Sequence, residues 1–214
     1  MIREFMFSSS MRRTLLVLPL LVLPLLVLPL VAVSLSAQQP SIPPAAQQIA
    51  AAVLPLPADL RANATVMGYR EANKLVVLRQ GTNGMTCLAL YVVRGNFHVA
   101  CYSDSLEPFM ARGRALREQG VNAQQVDTVR FAEVASGRLR MPAMGTLYSL
   151  SAPKENFDAA TNMVKGAAPL TVIYVPNATP ASLGISAVPT SNGPWMMFPG
   201  TPKAHIMITG SMVP

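Results

Sequence analysis

Cys87, Cys101, His98 and His205 are the chain's only cysteines and histidines, and they carry most of its chemical potential. A three-residue hairpin loop at Val93-Arg94-Gly95, with Gly95 in the left-handed position such loops require, pairs Val92 with Asn96. Counting back along both strands then sets Cys87 directly opposite Cys101. A two-residue loop at Arg94-Gly95 shifts the register by one and throws the two onto opposite faces. The three-residue loop predicts a Cys87–Cys101 disulfide, with two buried free thiols as the alternative. A catalytic cysteine fits less well, because His98 and Cys101 project to opposite faces of one strand.

His98 precedes Asp104 and Glu107, and a carboxylate orienting an imidazole is the minimum for general base catalysis. His98, Asp104, Glu107 and, separately, His205 are therefore the catalytic candidates. Each histidine also lies in a short apolar strand, where an imidazole commonly serves packing. Asp104 and Glu107 have a second use as the two halves of a capping box that opens a helix. No Gly-x-Ser-x-Gly elbow accompanies them.

Metal and cofactor chemistry find little support. His-Glu-x-x-His and Cys-x-x-Cys spacings are absent, so no metal site is expected. Met196, Met197, His205, Met207 and Met212 would suit cuprous copper by ligand type, but methionines in strands ordinarily fill cores. Without a haem-attachment, phosphate-loop or dinucleotide motif, no cofactor is expected.

The stretch Gly193–Pro202 mixes rigid turns with large apolar groups and holds the only tryptophan. Trp195 and Phe198 are its candidate binding residues, for an unknown protein or small-molecule ligand; the alternative is a loop that covers one end of the core. Asn63-Ala64-Thr65 and Asn177-Ala178-Thr179 are glycosylation sequons, relevant only in a cell that modifies asparagine.

The N-terminal residues indicate where the chain works. Arg12 and Arg13 are followed by an unbroken apolar stretch, Leu15 to Val33, in which Leu-Leu-Val-Leu-Pro occurs three times. Ser34-Leu35-Ser36-Ala37 then offers small residues to a signal peptidase, and a Gln-rich run follows. Charge, apolar core and small-residue exit make a secretory signal peptide over residues 1–37, cleaved after Ala37. The apolar stretch approaches spanning length, so an uncleaved anchor is the alternative. Met11-Arg12-Arg13-Thr14 also reads as an ordinary start, leaving Met1 and Met11 as two possible initiators. The product is expected outside the cytoplasm, periplasmic or secreted, touching membrane only through that segment.

Removing 37 of the 214 residues leaves 177, enough for one domain that buries roughly 70% of its unfolded surface. Three of the 17 basic and one of the 10 acidic residues leave with the signal, so the remainder carries a net charge of +5. That is mild, and its densest basic cluster, Arg112, Arg114 and Arg117, has Glu118 beside it on an expected helix. A solvated helix face accounts for the cluster, and nucleic acid is not an expected partner.

Residues 38–58, rich in Gln, Ala and Pro, read as a flexible leader with one short helix near 45–53, and 59–214 as the domain. Strands are expected at 64–69, 74–79, 85–92 and 96–102, forming an antiparallel meander. A capping box at Asp104 and Glu107 opens a helix whose apolar side is Leu106, Phe109, Met110, Gly113 and Leu116, and which ends at Gly120. A second helix starts at Asn122 and stops before Gly137. Strands resume at 146–150, 170–175 and 204–209. Residues 151–169 read as a loop, and Thr179-Pro180 as a brief helical turn closed by Gly184. The expectation is a single α+β domain: a mostly antiparallel sheet with two helices on one face. Functionally, a non-enzymatic binding or accessory module leads; an envelope enzyme using His98 or His205, hydrolase-like, and a membrane-anchored periplasmic accessory protein are the alternatives.

Overall fold

A computed structural model describes residues 42–71, 74–89, 96–191 and 193–210. Residues 1–37, read above as a signal peptide, the expected Val93–Gly95 loop and Met212 lie outside the described residues. Eight strands form one sheet in the order β2-β1-β3-β4-β5-β8-β10-β9, and β6 and β7 make a separate two-stranded pair. The strands are β1 (Thr65–Glu71), β2 (Lys74–Arg79), β3 (Met85–Leu88), β4 (Asn96–Ser103), β5 (Gly145–Pro153), β6 (Phe157–Asp158), β7 (Met163–Val164), β8 (Ala168–Tyr174), β9 (Trp195–Met197) and β10 (His205–Thr209). Among the described residues, every pairing between these strands is antiparallel except β1 with β3. The domain is α+β.

The N-terminal strands are not the simple meander expected. β2 returns antiparallel to β1 and stays at the sheet edge, and the chain then crosses the start of β1 to lay β3 parallel on its other side. The crossing is tight. The Thr82 amide donates to the Asn63 carbonyl at 2.8 Å, and a Cβ on Gly81 would fall 2.2 Å from the Thr65 nitrogen. Only glycine fits there. The placement follows from apolarity: Val66, near the start of β1, is fully buried, whereas Val77 on β2 is 46% exposed.

Helices cover both faces. The short helix anticipated within the leader forms as α1 (Ala45–Ala52) and belongs to the core. Ala52, Val53 and Leu56 pack with Val66, Cys87 and Cys101, and Ala51 packs with Phe97, Val99 and Leu150. Gln48 fixes this helix to the sheet. Its side chain accepts from the Tyr69 amide and donates to the Tyr69 carbonyl, both at 2.8 Å, so it supplies β1 with the partners a longer neighbouring strand would offer. A one-turn helix, α2 (Ala58–Arg61), leads into β1.

On the opposite face lie α3 (Glu107–Glu118) and α4 (Ala123–Ala135). Leu106 and Met110 join Tyr102, Leu147, Val172 and Tyr174 in a second core. Asn122 caps α4 by accepting from the Gln125 amide at 2.9 Å, as its sequence position predicts. The expected capping box at α3 does not form. Asp104 lies in a 3-10 turn (Asp104–Leu106), and the Glu107 amide donates to its carbonyl rather than its carboxylate. The Asp104 amide extends the strand ladder by donating to the Gly84 carbonyl at 2.8 Å, which places its carboxylate over β3. Pro108 at the helix start removes one of the amides a cap would serve.

Residues 151–169 are more regular than the loop expected. β5 runs on to Pro153, β6 and β7 form a small hairpin, and β8 begins at Ala168. The Thr179 turn forms as α5 (Pro180–Leu183), with a capping box between Thr179 and Ser182 and Gly184 at φ 65°.

Candidate functional site

Cys87 and Cys101 pair directly across β3 and β4 and are joined by a disulfide, with Cα atoms 3.9 Å apart and both residues fully buried. The bridge sits beneath α1, in the same cluster as Ala52 and Val66. It is structural: no solvent reaches the sulfurs, and His98 projects to the other face of β4.

The two histidines have opposite environments. His205 is 6% exposed, its Nδ1 is 2.7 Å from the Lys203 carbonyl, and its ring is flanked by Tyr174 and Phe198 at centroid distances of 5.0 and 5.7 Å. Burial holds its pKa below the ordinary imidazole value, against the pull of the Lys203 carbonyl. A neutral ring bound to a carbonyl inside a packed aromatic cluster is a core histidine.

His98 stands in the open. It projects from β4 beside Ser151, its cross-strand partner on β5, and the His98 Nδ1 and Ser151 Oγ share a hydrogen bond of 2.8 Å. Around them lies an open concavity of about 500 Å³, lined by Asn96, Phe97, His98, Ser151, Ala152, Pro153, Gly166 and Ala168. Partial burial also lowers the His98 pKa, so near neutral pH the imidazole is uncharged and can exchange donor and acceptor roles with the hydroxyl.

The candidate carboxylates do not join it. Asp104 accepts from the Thr86 hydroxyl at 2.6 Å. Glu107 accepts from the Tyr102 hydroxyl at 2.6 Å and from Arg114 Nη2 at 2.5 Å. Tyr102 lies four residues along β4 from His98, roughly 13 Å at strand rise, so the Glu107 cluster is distant from the imidazole. Its role is to tie α3 to the sheet. The histidines do not converge either. His205 pairs through Tyr174 to Gly145, and His98 pairs to Ser151, six residues further along β5, which separates them by roughly 20 Å.

Trp195 and Phe198 lie at the sheet's far edge, in and just after β9. Trp195 is half-buried, and Phe198 is 38% exposed at φ 52° with the Lys203 ammonium 4.2 Å from its ring centre. Lys203 also donates to Asp127 at 2.8 Å, and Asp127 is paired with the buried Arg130. Burial works to raise the Asp127 pKa, but the Lys203 and Arg130 hydrogen bonds outweigh it and hold the carboxyl below its ordinary range. This side of Phe198 is thus occupied by a charge network that fixes α4 to the turn before β10. The copper grouping divides as well. Met196 pairs with Ile206 and shares its face, while Met197 and Met207 share the face of His205. Among the described residues, no three His, Cys, Asp or Glu side chains are grouped to hold a metal ion.

Ser151 and Asn96 are the groove residues that sequence reasoning missed. Ser151 meets His98 only through the β4–β5 register, and the intervening chain contains both α3 and α4. Compared with known proteins, the chain matches no family model, no curated protein and no solved structure.

Proposed function

We propose that this chain is an exported binding protein, stapled by its disulfide, and that its ligand occupies the His98–Ser151 groove rather than the Trp195–Phe198 edge. The export segment read at residues 1–37 and the buried Cys87–Cys101 bridge support a periplasmic or secreted address, since such bridges persist in oxidising compartments. Among the described residues, no helix is long and apolar enough to cross a membrane. The observation that carries the site is the contrast between the two imidazoles: one closed in by aromatics on a carbonyl, the other hydrogen-bonded to a hydroxyl in open space.

A hydrolase is the second reading, favoured by the same Ser151–His98 contact. Ser151 would be the nucleophile and His98 its base. The carboxylates expected to orient the imidazole are engaged elsewhere, and this weighs for binding over catalysis.

Two measurements on residues 38–214 test the choice. Amide shifts in an NMR fragment screen are expected to cluster at Asn96, His98, Ser151 and Ala168; clustering at Trp195 and Phe198 would overturn the assignment. A fluorophosphonate probe is expected to leave Ser151 unlabelled, and labelling abolished by His98→Ala would establish the hydrolase instead.

A further inference from the structure

We infer that this groove takes an uncharged, hydroxyl-rich ligand of the saccharide class. The inference rests on the groove being the binding site and adds the chemistry of what enters it.

Among the described residues, the lining supplies one imidazole, one hydroxyl and one carboxamide, and none of these lining residues is an acid, a lysine or an arginine. A charged ligand group seated there would lose hydration without gaining a counter-charge, which is costly even in a partly open site. Each of the three polar side chains can both donate and accept. The His98–Ser151 bond runs in either sense, and its sense decides whether His98 Nε2 offers a proton or a lone pair. Sugar hydroxyls have the same dual character.

A neutral peptide is the obvious rival, and the topology disfavours it. An extended peptide recognised through its backbone needs a free sheet edge. At the groove β5 offers no free edge, because Ser151 is paired on both sides, with His98 on β4 and with Ala168 on β8. Recognition here therefore falls to side chains. The exposed Pro153, Gly166 and Ala168 keep the walls low and supply small apolar surfaces for the C–H faces of a sugar ring.

The experiment is calorimetric titration of residues 38–214 with two neutral probes, maltotriose and the N-acetylglucosamine trimer, and two charged ones, glucuronate and inorganic phosphate. The expected result is binding of a neutral probe that weakens about tenfold in Ser151→Ala and in His98→Phe, the loss of roughly one hydrogen bond each. Near-ultraviolet circular dichroism of each variant confirms that the fold is intact. Binding of a charged probe alone, weakened by the same variants, would overturn the saccharide class and leave the groove standing. A neutral probe that binds equally to wild type and both variants would overturn the groove itself. Failure of all four probes would overturn the saccharide inference.

Discussion

Arg130 Nη1 lies 2.9 Å from where a Cβ on Gly113 would begin, so the glycine of α3 is the space into which α4 inserts its buried guanidinium. Arg130 is 4% exposed; it donates to the Phe109 carbonyl at 3.1 Å, pairs with Asp127, and stacks over the Phe109 ring with its Cζ 3.8 Å from the ring centre. Glycine in a helix interior costs about 1 kcal/mol relative to alanine, so Gly113→Ala would stabilise an isolated helix. Within this protein the new methyl displaces a pinned, buried cation, and breaking such pairing costs more than the propensity gain. Gly113→Ala is expected to destabilise by about 1 kcal/mol in urea unfolding, whereas on an Arg130→Met background it is expected to stabilise by about the same amount. The same sign in both backgrounds would refute the coupling.

Gln48 offers a second test, at the other face of the sheet. It is 4% exposed, and its amide satisfies both backbone groups of Tyr69 and the Pro43 carbonyl. Gln48→Leu keeps roughly the same volume and removes these three hydrogen bonds from part-buried backbone groups. The expected loss is about 2 to 3 kcal/mol, with faster hydrogen exchange at the Tyr69 amide. A loss under about 0.5 kcal/mol would mean that water replaces the side chain freely.

What the sequence disclosed divides along the length of chain that sets each contact. The Cys87–Cys101 pairing was legible because a register counted over only 14 residues of sequence sets it, and the cap at Asn122 was legible because its partner lies three residues on. The His98–Ser151 contact spans 53 residues and two helices, so no local count could find it. The parallel β1–β3 pairing was hidden for a related reason. Hairpin turns suggest successive neighbours, and only the burial of Val66 against α1 places β1 inside β2. Asp104 and Glu107 matched a capping pattern, but their carboxylates found stronger partners in Thr86, Tyr102 and Arg114. The irregular apolar spacing of α4 also has a physical cause, since one of its buried positions is Arg130.

The disulfide sets the third expectation. It closes a loop across 14 residues of sequence separation, and a loop of about that size contributes roughly 3 kcal/mol in the chain-entropy account. Cys87→Ala with Cys101→Ala is expected to lower stability by about that amount and to leave the fold recognisable, because α1 still covers the site. Mass spectrometry without reductant is expected to show wild type lighter by two hydrogens than its reduced form. Equal masses would show that the thiols are free, and the stability difference would then reduce to lost packing.

The pH dependence of stability carries the last expectation. His205 and His98 are held below the ordinary imidazole value of 6.5 by burial. In the unfolded chain both protonate near that value, so between it and the folded pKa the unfolded state binds more protons. The histidine contribution is therefore complete above about pH 6.5 and declines as the pH falls below it. Asp127 acts in a separate window. Its depressed folded pKa adds stability that is present above the ordinary carboxyl value of 3.8 and is lost as the pH falls through the folded value. Urea midpoints measured from about pH 8 to pH 5 isolate the imidazoles, because the carboxylate remains ionised throughout that range. His205→Phe retains an aromatic ring against Tyr174 and Phe198 while removing the titrating group, and His98→Gln removes the titrating group at the groove while keeping a polar side chain. The double variant is expected to show a midpoint nearly flat from pH 8 to pH 5 where wild type declines. If the decline persists undiminished, the two imidazoles are protonated as readily in the folded protein as in the unfolded chain, and their burial does not govern the acid sensitivity.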